Sequence, residues 1–103
     1  MITGCDSRIG SGLARYLDEQ GFTVFAGFQN ASESSIVEEL KEVCSARLHV
    51  LQLDVTNETQ ILAASLSVVE NLPEGAPGLW AVIHAASWVA LGEIEWIPPQ
   101  VIN

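Results

Sequence analysis

Positive charge is what this 103-residue sequence has least of: four Lys and Arg residues stand against thirteen Asp and Glu, a formal net charge of -9 at pH 7. That balance repels nucleic acid and anionic membrane surfaces at long range, so no nucleic-acid partner is expected and any anionic ligand has to be held by local geometry. Cysteine is scarce too, with Cys5 and Cys44 alone. Two are too few for a disulfide framework and fit an intracellular, reducing setting, with the cytoplasm and a membrane-associated organelle surface both left open. No basic stretch followed by an apolar one opens the chain, and the longest apolar run, 79–91, is interrupted by His84 and too short to span a bilayer. No membrane segment is expected in this chain. No Gly-Lys-Ser/Thr follows a glycine turn, which excludes P-loop nucleotide hydrolysis. No Cys/His/carboxylate cluster accompanies His84, so no metal site is expected. Asn30-Ala31-Ser32 and Asn57-Glu58-Thr59 match the glycosylation triplet, which matters only in a secreted protein.

What is present is apolar residue in alternating patterns. Hydrophobic residues make up 49% and charged ones 17%, which suits one packed domain over 1–103. Met1-Ile2-Thr3 reads as the end of a first strand running into the turn Gly4-Cys5-Asp6-Ser7. Ile9, Leu13 and Leu17 recur every four residues beside Ala14, predicting a helix from Arg8 that Gly21 closes. Phe22 to Ala26 predicts a second strand stopping at Gly27. Ser32 or Ser34 caps a second helix with Ile36, Leu40, Val43 and Cys44 on one face. Leu48 to Leu53 predicts the third strand, and Asn57 caps a third helix carrying Ile61, Leu62, Leu66, Val69 and Leu72 up to Pro73. Leu79 to His84 predicts a fourth strand. This alternation, with short connections, predicts an α/β fold: the N-terminal half of a Rossmann-type doubly wound parallel sheet, with about four strands and three helices.

In such a sheet the ligand sits beyond the carboxyl ends of the strands, and the first strand-to-helix turn offers backbone N–H groups and a helix N-terminus to a phosphate. Thr3-Gly4-Cys5-Asp6-Ser7-Arg8-Ile9-Gly10 stands in that place. It resembles the T-G-x-x-x-G-x-G turn of the short-chain dehydrogenase/reductase family, with Arg8 where the middle glycine belongs. Leu53-Asp54-Val55-Thr56 resembles the family's L-D-V-T at the end of the third strand, and Leu79 to Ser87 its fourth strand and N-N-A-G ending. Of that ending only Ala86 is kept; His84, Ala85 and Ser87 depart. Gly92-Glu93-Ile94-Glu95-Trp96 resembles the segment that follows in the retinol, hydroxysteroid and 3-hydroxybutyrate dehydrogenases.

The resemblance implies an NAD(P)-dependent oxidoreductase for a small alcohol or ketone, whose parent enzyme is a candidate homo-oligomer. It implies a cofactor held by Thr3, Gly4, Asp6, Ser7, Arg8, Ile9 and Gly10 of the turn, by Phe28 at the second strand's end, by Asp54 and Val55 on the adenine side, and by His84, Ala85 and Ala86. An acidic side chain at the second strand's end binds the ribose hydroxyls of NAD, and an arginine there accommodates the 2′-phosphate of NADP. Ala26-Gly27-Phe28-Gln29-Asn30 carries neither, and the lack of a basic residue favours NAD. Arg8 has two opposed readings: its guanidinium pairs with a phosphate, or its Cβ blocks the approach of the pyrophosphate to the backbone.

The family's proton-transfer group resembles Tyr-x-x-x-Lys aided by serine and asparagine. Here Tyr16 is the one tyrosine, Gln20 stands four residues on, and Lys41 belongs to another helix; Asn103 is too early for the asparagine. No catalytic residue is assigned. The chain is expected to be the cofactor-binding portion, inactive alone and prone to low solubility along an open sheet edge beside 79–83. The rival reading is a nonenzymatic nucleotide-binding or regulatory module with a degenerate cofactor site. A receiver domain is disfavoured because Lys41 does not lie at a strand end.

Overall fold

A computed structural model describes residues 1–86. Ser87, Trp88, the segment from Gly92 to Trp96 and Asn103 lie outside the described residues. The element order is β1 (Ile2–Thr3), α1 (Arg8–Glu19), β2 (Val24–Phe28), α2 (Ser35–Val43), β3 (Leu48–Gln52), α3 (Glu58–Asn71) and β4 (Ile83–His84). The strands form one sheet in the order β3-β2-β1-β4, every pairing parallel.

Alternate residues of β2 serve opposite faces, as the two-residue period of a strand requires. Val24, Ala26 and Phe28 join Ile2, Cys5, Ala14, Val37 and Leu40 in a core under α1 and α2. Phe25 faces the other way, packing with Leu51, Leu53, Ala64 and Val68 under α3. Gly10, Ala14 and Asp18 are the buried residues of α1. Two of the three are small and four apart, so the helix axis lies close to the sheet.

Five expectations shift. Ile9 is 73% exposed, since one residue ahead of Gly10 it points about 100° away from the buried stripe. The second strand begins at Val24 instead of Phe22 because the end of α1 uses the intervening residues: Gly21 adopts φ +94, its N–H donates to the Asp18 carbonyl, and the Phe22 N–H donates to the Leu17 carbonyl. These bonds close the helix and delay the strand. In α2, Val37 and Leu40 are buried while Val43 is 52% exposed and Cys44 lies past the last turn. The largest shift concerns α3, which buries Ala64 and Val68 and leaves Leu62, Leu66 and Val69 each about two-thirds exposed, at 67%, 66% and 69%.

The fourth strand is also shorter than Leu79 to His84. Regular pairing covers Ile83 and His84, opposite Ile2 and Thr3, and is extended by the Ile83 N–H to the Met1 carbonyl and the terminal amine to the Ala81 carbonyl. Ile83 and His84 are the residues that lie opposite β1. Leu79, Trp80 and Val82 are exposed.

Away from the strand ends, Asp18 accepts hydrogen bonds from the Ser45 amide at 2.9 Å and the Ser45 hydroxyl at 2.7 Å, while Arg47 Nη2 donates to the Asp18 carbonyl at 3.0 Å. Burial pushes this carboxyl up, but the two Ser45 donors and the nearby Arg47 outweigh it and hold the group below its ordinary value. The network ties the end of α1 to the entry of β3.

Candidate functional site

Leaving β1, the chain runs to β2 and β3 on one side and returns to β4 on the other. A crevice forms at such a reversal, beyond the carboxyl ends of the strands on either side of it, here β1 and β4. Thr3 to Gly10 and His84 to Ala86 meet there. Gly4 adopts φ +71, and a Cβ on it would fall 2.3 Å from the Ala86 nitrogen, so this position turns the chain beneath the end of β4. A Cβ on Gly10 would lie 2.4 Å from the Gly4 carbonyl oxygen. That glycine lets the first turn of α1 sit on the loop.

Ser7 is the N-cap of α1. Its hydroxyl donates to the Gly4 carbonyl at 2.9 Å and accepts the Gly10 N–H at 3.0 Å. The amides of Arg8 and Ile9, the first two of the helix, have no acceptor within it and lie at the positive end of its dipole. Both residues are exposed. Free amides at a helix N-terminus are an arrangement that suits a phosphate. Arg8 occupies the position where a glycine would let a pyrophosphate closest to the chain. It also lines a groove of about 550 Å³ between α1 and α2, together with Arg15, Glu39 and Glu42 over a floor that includes Ile36 and Leu40.

At the neighbouring strand ends, Asp6 Oδ1 accepts the Gln29 N–H at 2.8 Å. Gln52 Oε1 accepts the Ala31 N–H at 2.9 Å while its Nε2 donates to the Gln29 carbonyl. The loop after β2 is thus held from both sides. Asp54 ends β3 in a tight local turn: its Oδ1 accepts the Thr56 hydroxyl at 2.6 Å and the Thr56 amide at 2.9 Å, and its own N–H donates to Gln60 Oε1 at 2.7 Å. The Thr56 hydroxyl and amide hold the Asp54 carboxyl below its ordinary value. Val55, beside it, is exposed.

One expected site residue needs correction. Phe28 is 0% exposed and its ring is part of the core under α1 and α2, so its side chain cannot reach a ribose. Residue 28 is the last of β2 and shares a face with Val24 and Ala26, which decides its direction. Gln29 and Asn30 follow it at the surface. Thr3 Oγ1 is buried and has no hydrogen-bond partner among the described residues. His84 and Ala86 are exposed at the end of β4, and the Ala85 N–H donates to the Thr3 carbonyl at 3.2 Å.

Gln29, Gln52 and Gln60 were not foreseen as site residues. The available sign was a glutamine interrupting the apolar run of the third strand at its carboxyl end. Cys5 is fully buried, and burial pushes its thiol up to about 12, away from the thiolate that covalent chemistry needs. Tyr16 is 57% exposed on α1, part of the helix surface. Among the described residues no group of three or more His, Cys, Asp or Glu is placed to hold a metal ion.

The turn's free amides, the held loop after β2 and the open side of Asp54 all lie beyond the same strand ends, and they fit a dinucleotide: pyrophosphate at the start of α1, adenosine toward β2 and β3. A nicotinamide dinucleotide there would supply hydride transfer, and this chain's residues would bind and orient it.

Comparison with known proteins bears on the family of the chain. The family model for short chain dehydrogenases matches residues 1–102. Estradiol 17-beta-dehydrogenase 2 of Mus musculus is 49% identical over 86 residues, 84% of this chain and 22% of that protein. The 17-beta-hydroxysteroid dehydrogenase type 6 of Rattus norvegicus is 42% identical over 100 residues, covering 96% and 30%. The mitochondrial D-beta-hydroxybutyrate dehydrogenase of Mus musculus is 35% identical over 97 residues, covering 93% and 28%. The chain spans between about a fifth and a third of the length of these curated relatives. With four parallel strands, three helices and the turn at the strand reversal in place, the chain belongs to the short-chain dehydrogenase family.

Proposed function

We propose that this chain is the NAD(H)-holding part of an oxidoreductase that interconverts an alcohol and a ketone, with a hydroxysteroid or a short hydroxy acid as the substrate class. The observation that carries the reading is the turn Thr3 to Gly10, which opens α1 at the strand reversal with the Arg8 and Ile9 amides free. The absence of Lys and Arg from 26–34 supports NAD over NADP. The substrate class rests on what the relatives' names say those proteins act on. An intracellular setting and a homo-oligomeric parent belong to the same reading; the free cysteines support the first.

The chain's own part is positioning. No Tyr-x-x-x-Lys occurs in it, so proton transfer at the substrate oxygen is not assigned to any of its residues. NADH titrated into the 103-residue chain and followed by fluorescence should show saturable binding, while estradiol or 3-hydroxybutyrate with NAD should give no NADH. Absence of saturable binding in both the parent chain and its Arg8→Gly variant would remove the reading. Arg8 favours a second one, a nucleotide-binding module without catalysis. That reading requires a longer protein containing this segment to bind the dinucleotide and never turn over.

A further inference from the structure

Resting on the dinucleotide reading above, we propose that Asp6 is the residue that selects NAD(H) against NADP(H), its carboxylate coming from the turn to the place where such folds put an acidic side chain at the end of the second strand. An acid at that place accepts hydrogen bonds from the adenosine ribose hydroxyls and repels a phosphate on the 2′ oxygen. β2 cannot supply it. Phe28 is buried in the core, and Gln29 and Asn30 after it are neutral.

Asp6 fills the gap from the other side of the crevice. Its Oδ1 accepts the Gln29 N–H at 2.8 Å, which fixes the carboxylate against the first residue past β2. Gln52 holds the same loop through the Ala31 N–H at 2.9 Å and the Gln29 carbonyl. The receiving surface is therefore braced before any ligand arrives. Asp6 Oδ2 takes no hydrogen bond from the described residues, and the side chain is half-buried, so one oxygen serves the fold and the other is free to accept from a ribose. The turn's one cation, Arg8, lines the α1–α2 groove, where Arg15, Glu39 and Glu42 also lie. A carboxylate with no dedicated cation beside it favours two hydroxyls over a phosphate dianion.

The test is calorimetric titration of NADH and NADPH into the parent chain and into Asp6→Asn, each also in the Arg8→Gly background so that weak phosphate binding does not hide the ratio. Asparagine keeps an acceptor for the Gln29 N–H and removes the charge, and matching thermal melts confirm that the loop survives. NADH should bind more tightly than NADPH to the parent, and Asp6→Asn should narrow that ratio on the order of tenfold, chiefly by improving NADPH. A ratio that Asp6→Asn leaves unchanged, or a parent that binds both equally, overturns the assignment to Asp6 while the dinucleotide reading stands. Binding of neither nucleotide to any of the four proteins overturns both.

Discussion

On one face of the sheet α1 and α2 close over Ile2, Val24, Ala26 and Phe28; on the other, α3 alone covers Phe25, Leu51 and Leu53 and turns Leu62, Leu66 and Val69 outward. Both faces use the same strands and similar apolar side chains, so composition does not separate them. The difference is in the helices. α1 turns Gly10 and Ala14 to the sheet with Leu13 and Leu17 packed beside them and, Ile9 and Tyr16 apart, carries few large apolar residues on its outer side, and so has one orientation in which most of its apolar surface is buried. α3 is apolar on most of its circumference, so whichever side meets the sheet, another is left bare among the described residues. The turn Thr3 to Gly10 sits at the end of the well-covered face, where the positions of Gly4, Ser7 and Gly10 are set by packing and capping.

Removing the ring that anchors that face should have the largest effect. Phe28→Ala is expected to lower unfolding stability by ~3–5 kcal/mol, read by urea denaturation, because the ring is fully buried between β2 and the α1–α2 layer. Gly4→Ala comes next. It forces a side chain into φ +71 and into the backbone of Ala86, for a cost of at least ~1–3 kcal/mol, and the loss of NADH binding should exceed the loss of stability. A Gly4→Ala chain with unchanged melting and binding would mean the turn is not built as described.

A smaller effect tests the joint between α1 and β3. The folded state holds the Asp18 carboxyl below its unfolded value, so its contribution to stability is present above the unfolded pKa, ~3.9, and is lost as pH falls through the lower folded value. The stability gap between the parent and Asp18→Asn should therefore be widest near neutral pH and shrink on acidification below ~4. A gap independent of pH would show that the Ser45 contacts do not depend on the charge. The smallest effect belongs to the bare face. Leu66→Ser should change stability by no more than ~0.5 kcal/mol and raise solubility, since the side chain is 66% exposed.

The parts that could be read in the sequence were those with local rules. The Gly4 and Gly10 spacing, the Gly21 helix stop and the Asn57 cap each depend on residues within a few positions, and the structure has the Asn57 side chain accepting the Gln60 N–H at 3.2 Å. The parallel α/β sheet follows from alternation and short connections. What could not be read depends on partners distant in the chain. The pairing of β4 depends on β1, about 80 residues earlier, and the buried side of α3 on which of several apolar stripes meets Leu51 and Leu53. In the site, the turn was visible as a motif, while the bond between Asp6 and the Gln29 amide joins residues 23 apart and has no local signature. Phe28 is named for its place at the end of the second strand, which locates a backbone position and leaves the direction of the side chain to the strand's alternation.

Whether the covered face ends in a working dinucleotide site turns on Arg8, the one residue of the turn that departs from the glycine pattern. The decisive measurement is the dissociation constant of NADH for the parent chain and for Arg8→Gly at the same ionic strength. Tighter binding by Arg8→Gly, on the order of tenfold, is expected, because the glycine restores close approach of the pyrophosphate to the amides that open α1. Equal or weaker binding by Arg8→Gly would contradict a backbone-held pyrophosphate at this turn.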